Sequence, residues 1–221
     1  MSEKPVSKLL KLSDHPVSEN IKFKEVFEMI LEKYEYYRES KKDGNCFYIS
    51  FIYKLLEISK TISNDIFLNF MKSLEECNET IKSTGIDEIS FIDFYERFIE
   101  ILKDSRNNNF DFENIDQTDF NEIIAYFKIL ISSILRTNKE IYQPFMVDTT
   151  VDNYCKRHVE VFYVETSHIE IEALVKELPI SIEIINIEGT KQFFTHRFGN
   201  NEFKISILFT PGHFEPIYEK K

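Results

Sequence analysis

Two stretches, far apart in the chain, carry side chains able to do covalent chemistry: DGNCFY at residues 43–48 and PGHFEPIY at 211–218. In the first, a glycine and a cysteine stand two positions apart, just ahead of an apolar run that reads as a helix. Asp43-Gly44-Asn45 favours a turn, and Asn45 is suited to cap the helix that follows. Cys46 is then the first helical residue. A helix N-terminus offers unpaired amides and the positive end of the helix dipole, surroundings that favour a thiolate. The amides of Asp43, Gly44 and Cys46 are candidates to stabilise the oxyanion formed when a thiolate attacks a carbonyl. Gly44 lets the backbone approach a substrate without a β-carbon in the way. A structural turn carrying an inert buried thiol accounts for the same four residues.

A thiolate needs a basic partner, and the chain has five histidines. His15 lies in the N-terminal segment. His158 follows Cys155 by three positions, a C-x2-H pair that is a weak metal signal without two further ligands. His168 opens a helix and reads as structural, and His196 sits in a short charged and aromatic strand. His213 follows the apolar strand KISILF and is bracketed by Pro211, Gly212 and Pro216. Two of the five glycines thus flank Cys46 and His213, which directs the choice to His213. His213 and Glu215 are two apart, so in a strand they point to one side, where the carboxylate can orient the imidazole. An exposed strand end with an ordinary salt-linking Glu215 accounts for the segment equally well.

These two stretches must be brought together by elements of different period. From about residue 20 to 137 the apolar positions recur at helical spacing, with Ile21, Val26, Phe27, Ile30, Leu31 and Tyr34 on one stripe. CFYISFIYKLLEI is apolar on most sides, as a central buried helix would be. SNDIFLNFMKSLEECNETIKS, DEISFIDFYERFIEILKDS and TDFNEIIAYFKILISSILRTN are further helices, the last two joined by the polar loop RNNNFDFENIDQ. SHIEIEALVKEL adds one more, with Ser167 as cap. Strands are expected at ISIEIINI (180–187), FFTHRF (193–198), FKISILF (203–209) and HFEPIY (213–218). Helices followed by a small, mostly antiparallel sheet give an α+β fold. Residues 1–18 are expected to be a flexible tail, leaving 19–221 as one domain.

Composition narrows the function classes. Acidic residues outnumber basic ones 38 to 27, a net charge of −11, which disfavours nucleic-acid binding. No apolar run is long enough to span a bilayer, so no membrane partner is expected. The N-terminus does not read as a signal peptide. Cys46, Cys77 and Cys155 are odd in number and unpaired in spacing, as free thiols of a reducing compartment would be, in the cytoplasm or also the nucleus. No metal or cofactor is called for, and a monomer is expected.

On DGNCFY at 43–48 and PGHF at 211–214 followed by IY, the sequence resembles the otubain branch of the ovarian-tumour (OTU) cysteine proteases. VETSHIEIEALVKELPISIEI (164–184) resembles the helix-strand stretch that precedes the histidine in that family, and 62–137 fits its helical insertion by position and pattern. The resemblance spans roughly residues 20–219. It implies a papain-like OTU fold and a thiol isopeptidase that removes ubiquitin. Cys46 would be the nucleophile, His213 the general base and acid, and Glu215 the third member. Asp43 would belong to the oxyanion turn. Ubiquitin and polyubiquitin would be the partners, together with ubiquitin-conjugating enzymes, which otubains can restrain without cleaving. Ubiquitin's tail, with its arginines and final two glycines, would suit a narrow acidic channel, with candidate wall residues in DEISFIDFYERFIE and DFENIDQ. Three positions depart from the family: Glu215 stands where an Asp or Asn is usual, Ile49 replaces a common basic residue, and Pro216 removes a strand N–H. A histidine near its reference value of about 6.5 predicts cleavage that falls below about pH 6.

Overall fold

The apolar run after Cys46 becomes the axis of the molecule. The computed structural model describes residues 4–112, 116–187 and 192–220. In it, helix α2 (Cys46–Ser59; α1 is Lys24–Lys33) is buried on nearly every side. Around it pack α3 (Asn64–Ser83), α4 (Ile92–Arg106), α5 (Gln117–Thr137) and, after the short helices α6 (Lys139–Tyr142) and α7 (Val151–Tyr154), α8 (His168–Glu177). The sequence punctuates these helices as expected. The Ser63 hydroxyl accepts from the Ile66 amide to start α3, and Ser167 with Glu170 forms a reciprocal capping box at α8.

Six strands form one sheet in the order β1 (Leu10–Lys11), β2 (Tyr34–Tyr37), β6 (His213–Glu219), β5 (Lys204–Thr210), β3 (Ser181–Asn186) and β4 (Phe194–Phe198). Only β3 and β5 run parallel. The mostly antiparallel α+β architecture is therefore the observed one. Alternation along the strands splits the core between two faces. Ile182, Ile184, Ile205, Ile207 and Phe214 join the large cluster of α2–α5 and α8. Ile185, Leu208 and Ile217 pack with Val26, Phe27 and Ile30 of α1 on the other face.

Two expectations are corrected. The helical stripe drawn through Tyr34 stops at Lys33, and Ile21 lies outside α1 and is exposed. YEYY instead pairs with β1 and β6, because its aromatic residues suit a pleated surface better than another helical turn. The segment expected as a flexible tail is also built in: β1 pairs with β2, Val6 bridges Ser40, and Leu12 and His15 are buried. A two-residue strand and isolated apolar anchors carry no periodicity, so the pattern could not reveal them.

Candidate active site

A stripe of α2 lies along β6 and brings the two chemical stretches together. Residues four apart on a helix share a face. Cys46, Ser50 and Lys54 form such a row. Cys46 lies close enough to His213 to act on its charge, the Ser50 hydroxyl donates to the Phe214 carbonyl (3.1 Å), and the Lys54 ammonium donates to the Ile217 carbonyl (3.2 Å). Phe47 adds an edge-to-face contact with Phe214, ring centroids 5.5 Å apart. The first residue of α2 thus meets the first residue of β6. At the same end, Pro211-Gly212 closes the β5–β6 hairpin, with Gly212 at φ +75°, a conformation glycine adopts readily.

Cys46 is 2% exposed and sits at the helix start, as expected. Asn45 occupies the cap position, but its side chain makes no cap bond. Instead its Oδ1 accepts from the Tyr163 amide (3.1 Å), while its own amide donates to Asp43 Oδ1 (3.0 Å). Asp43 therefore shapes the turn through its carboxylate. The Asn45 amide is engaged. Among the described residues the amides of Asp43, Gly44 and Cys46 carry no such bond, which leaves them for an oxyanion. Gly44 has φ +80°, and a β-carbon there would stand 2.4 Å from the Tyr163 carbonyl. Tyr163 itself has φ +67° and is 65% exposed. Lys128 steadies the approach to it, donating to the carbonyls of Val159 and Val161 at 3.2 and 3.0 Å.

His213 and Glu215 are buried, not an exposed strand end, with Nε2 3.5 Å from Oε1. Ser40 gives its hydroxyl proton to the Phe214 carbonyl, so toward His213 Nε2 (3.4 Å) its oxygen can only accept. Nε2 accordingly carries a proton, and Nδ1 is the nitrogen left to face the sulfur. Burial alone would pull the His213 imidazolium down, but hydrogen bonds to Cys46 and Glu215 outweigh it and raise its pKa to about 9. Burial would raise Glu215, yet hydrogen bonds from His15 and His213 lower it to about 2. The site favours a charged imidazolium beside an ionised carboxylate. That corrects the expectation of a histidine near its reference value. The arrangement can hold a thiolate, present amides to an oxyanion and supply a proton.

The departures from the family pattern do not dismantle it. Ile49 is fully buried, Glu215 still reaches His213, and Pro216 keeps its carbonyl bonded to the Arg38 amide. The other candidates lie elsewhere. Cys155 donates to the Ser132 carbonyl while His158 stacks on Tyr154. His168 and His196 lie together, ring centroids 5.5 Å apart, beside Phe198. Of the acidic wall candidates, Glu88 pairs with Lys82 and Glu100 with Arg97, and residues 113–115 are outside the described residues. The contact missed in the sequence is His15, which bonds Glu215 from the N-terminal segment. Its surroundings in the sequence, SDHPVSE, are mostly polar and give no sign of that burial.

Comparison with known proteins bears on this geometry. The sequence model of the Peptidase C65 Otubain family matches residues 2–219. Ubiquitin thioesterase OTUB1 of Homo sapiens is 26% identical over 226 residues, with 97% of this chain and 83% of that protein covered. Ubiquitin thioesterase OTUB2 of Homo sapiens is 26% identical, covering 94% and 90%. The OVARIAN TUMOR DOMAIN-containing deubiquitinating enzyme 1 of Arabidopsis thaliana is 26% identical, covering 83% and 69%. In fold, the chain is similar to h/ceOTUB1 solved with ubiquitin aldehyde and UBC13~Ub, with a TM-score of 0.85, 24% identity and 99% and 92% of the chains covered. The α+β fold is thus the papain-like OTU fold. With its family model matched almost end to end, the chain belongs to the Peptidase C65 otubain family.

Proposed function

We propose that this protein is a cysteine deubiquitinase that hydrolyses the bond between the C-terminal glycine of ubiquitin and a lysine side chain. The observation that carries the reading is the meeting of Cys46, first residue of α2, with His213, first residue of β6, whose partner Glu215 is held in reach. The Cys46 thiolate attacks the glycine carbonyl, and the oxyanion rests on the amides of Asp43, Gly44 and Cys46. The His213 imidazolium gives its proton to the departing amine. Neutral His213 then takes a proton from water, which attacks the thioester and frees the thiol. Glu215 holds the imidazole and balances its charge. Cys46 is only 2% exposed, so its substrate must reach it as a thin chain, as a tail ending in two glycines would.

Ubiquitin is the partner this chemistry requires. Ubiquitin-conjugating enzymes are the second partner class, by analogy with neighbours in fold solved as OTUB1 complexes with UBC13~Ub and UBCH5B~Ub. The test is hydrolysis of ubiquitin carrying a fluorogenic amide at its C-terminus. Wild type should turn it over, and Cys46→Ala should bind it without turnover. Binding by wild type with no turnover would leave an adaptor in place of an enzyme.

A further inference from the structure

We propose that His15, from the N-terminal segment, is a positioning residue that fixes the Glu215 carboxylate so that it presents one oxygen to His213. This rests on the reading of Cys46 and His213 given above.

Proton placement on the two rings fixes their roles. The Val17 amide donates to His15 Nδ1 (3.1 Å), so that nitrogen is an acceptor and carries no proton. The ring proton is then on Nε2, which lies 2.8 Å from Glu215 Oε2 and donates to it. The other carboxylate oxygen, Oε1, faces His213. Each oxygen of Glu215 therefore has its own histidine. Both partners are buried, His15 at 4% and Glu215 at 3% exposure. His15 is itself held: Tyr37 of β2 meets its ring edge-on at 4.6 Å, Phe27 of α1 lies at 5.7 Å, and the next residue is Pro16.

The geometry answers a problem posed by the sequence. Glutamate has one more rotatable bond than aspartate, and its terminal torsion is broad. A buried carboxylate that turns away would leave the imidazole unsupported. A second donor on Oε2 removes that freedom without adding charge, because a histidine accepting at Nδ1 and donating at Nε2 is neutral. The otherwise unexplained burial of a tail histidine thereby acquires a role in the site.

The test uses the full chain. His15→Phe and His15→Leu remove the donor and keep an apolar filling, whereas His15→Gln keeps a donor near Nε2. The Phe or Leu variant should lower kcat roughly 10²-fold, the scale of a small misplacement, with KM for the fluorogenic ubiquitin amide nearly unchanged. His15→Gln should recover most of the loss. In a Glu215→Ala background the same replacements should cost nothing further. Independently of any substrate, the NMR titration of His213 should move to lower pH in His15→Phe. The groups facing His213 and Glu215 in that titration are Cys46 from α2, Ser40, His15 and Tyr37, with Glu165 beside Gly212. Equal losses in Phe and Gln variants, an undiminished loss in the Glu215→Ala background, wild-type kcat in His15→Phe, or unfolding of both apolar variants would each overturn the role. A wild type with no turnover but with the His213 titration shifted by His15→Phe would instead sink the deubiquitinase reading and leave this one standing.

Discussion

Burial and hydrogen bonding act in opposite directions on His213 and Glu215, and the bonds win at both. His213 keeps its proton up to about pH 9 because Cys46 and Glu215 hold it against the pull of burial. The proton donor for the leaving amine is therefore lost as pH rises through about 9, and kcat/KM should fall there. A plateau continuing to pH 10 would contradict this. The same shifts carry a stability signature. The His213 pKa is raised above its ordinary 6.5, so its contribution is full below that value and lost through about 9. The Glu215 pKa is depressed below 4.5, so its contribution is full above that value and lost through about 2. Both are present together between about 4.5 and 6.5. Denaturant melts across pH should show this support, and His213→Phe should flatten its alkaline side. Cys46, His213 and Glu215 were legible in the sequence because turn, proline and glycine punctuation marks them locally. His15 was not, since a contact across 200 positions leaves no local pattern.

At the scale of elements, the register of α2 on β6 decides the site. The row Cys46, Ser50, Lys54 fixes the helix along the strand, so weakening its middle should loosen the fold more than the chemistry. Ser50→Ala should cost about 1 kcal/mol in chemical denaturation, with turnover close to wild type, because Ser40 still donates to the Phe214 carbonyl. Gly44→Ala is the harsher change. Its β-carbon collides with the Tyr163 backbone and its φ is positive, so about 1–3 kcal/mol of stability and most turnover should go. Wild-type kinetics in Gly44→Ala would mean the turn does not form the oxyanion site. The central helix was readable because it is apolar on all sides, and β3, β5 and β6 because they alternate between punctuation residues. β2 was hidden, since YEYY directly follows a helix and continues its apolar stripe by one residue.

For the molecule as a whole, the site spans both ends of the chain. The N-terminal segment brings β1, Leu12 and His15, β2 sits between β1 and β6, and the C-terminal strand carries His213 and Glu215. Deleting residues 1–19 should lower the melting temperature and the turnover together, by stripping Leu12 from the second core cluster and His15 from Glu215. Unchanged stability would restore the idea of a dispensable tail. Acidic side chains are partly engaged in ion pairs, such as Glu183 and Glu219 with Lys204, and the net charge of −11 is the excess over the basic residues of the whole chain. The whole-chain view also separates the three thiols, all of them buried. Burial pushes Cys77 up to about 12 and raises Cys155 as well, while Cys46 is the thiol that acts on the charge of His213. Peptide mapping by mass spectrometry, after reaction with ubiquitin carrying an electrophile at its C-terminus, should therefore find one adduct, on Cys46. No adduct, or one on Cys77 or Cys155, would contradict the assignment of Cys46 and His213 as the reacting pair.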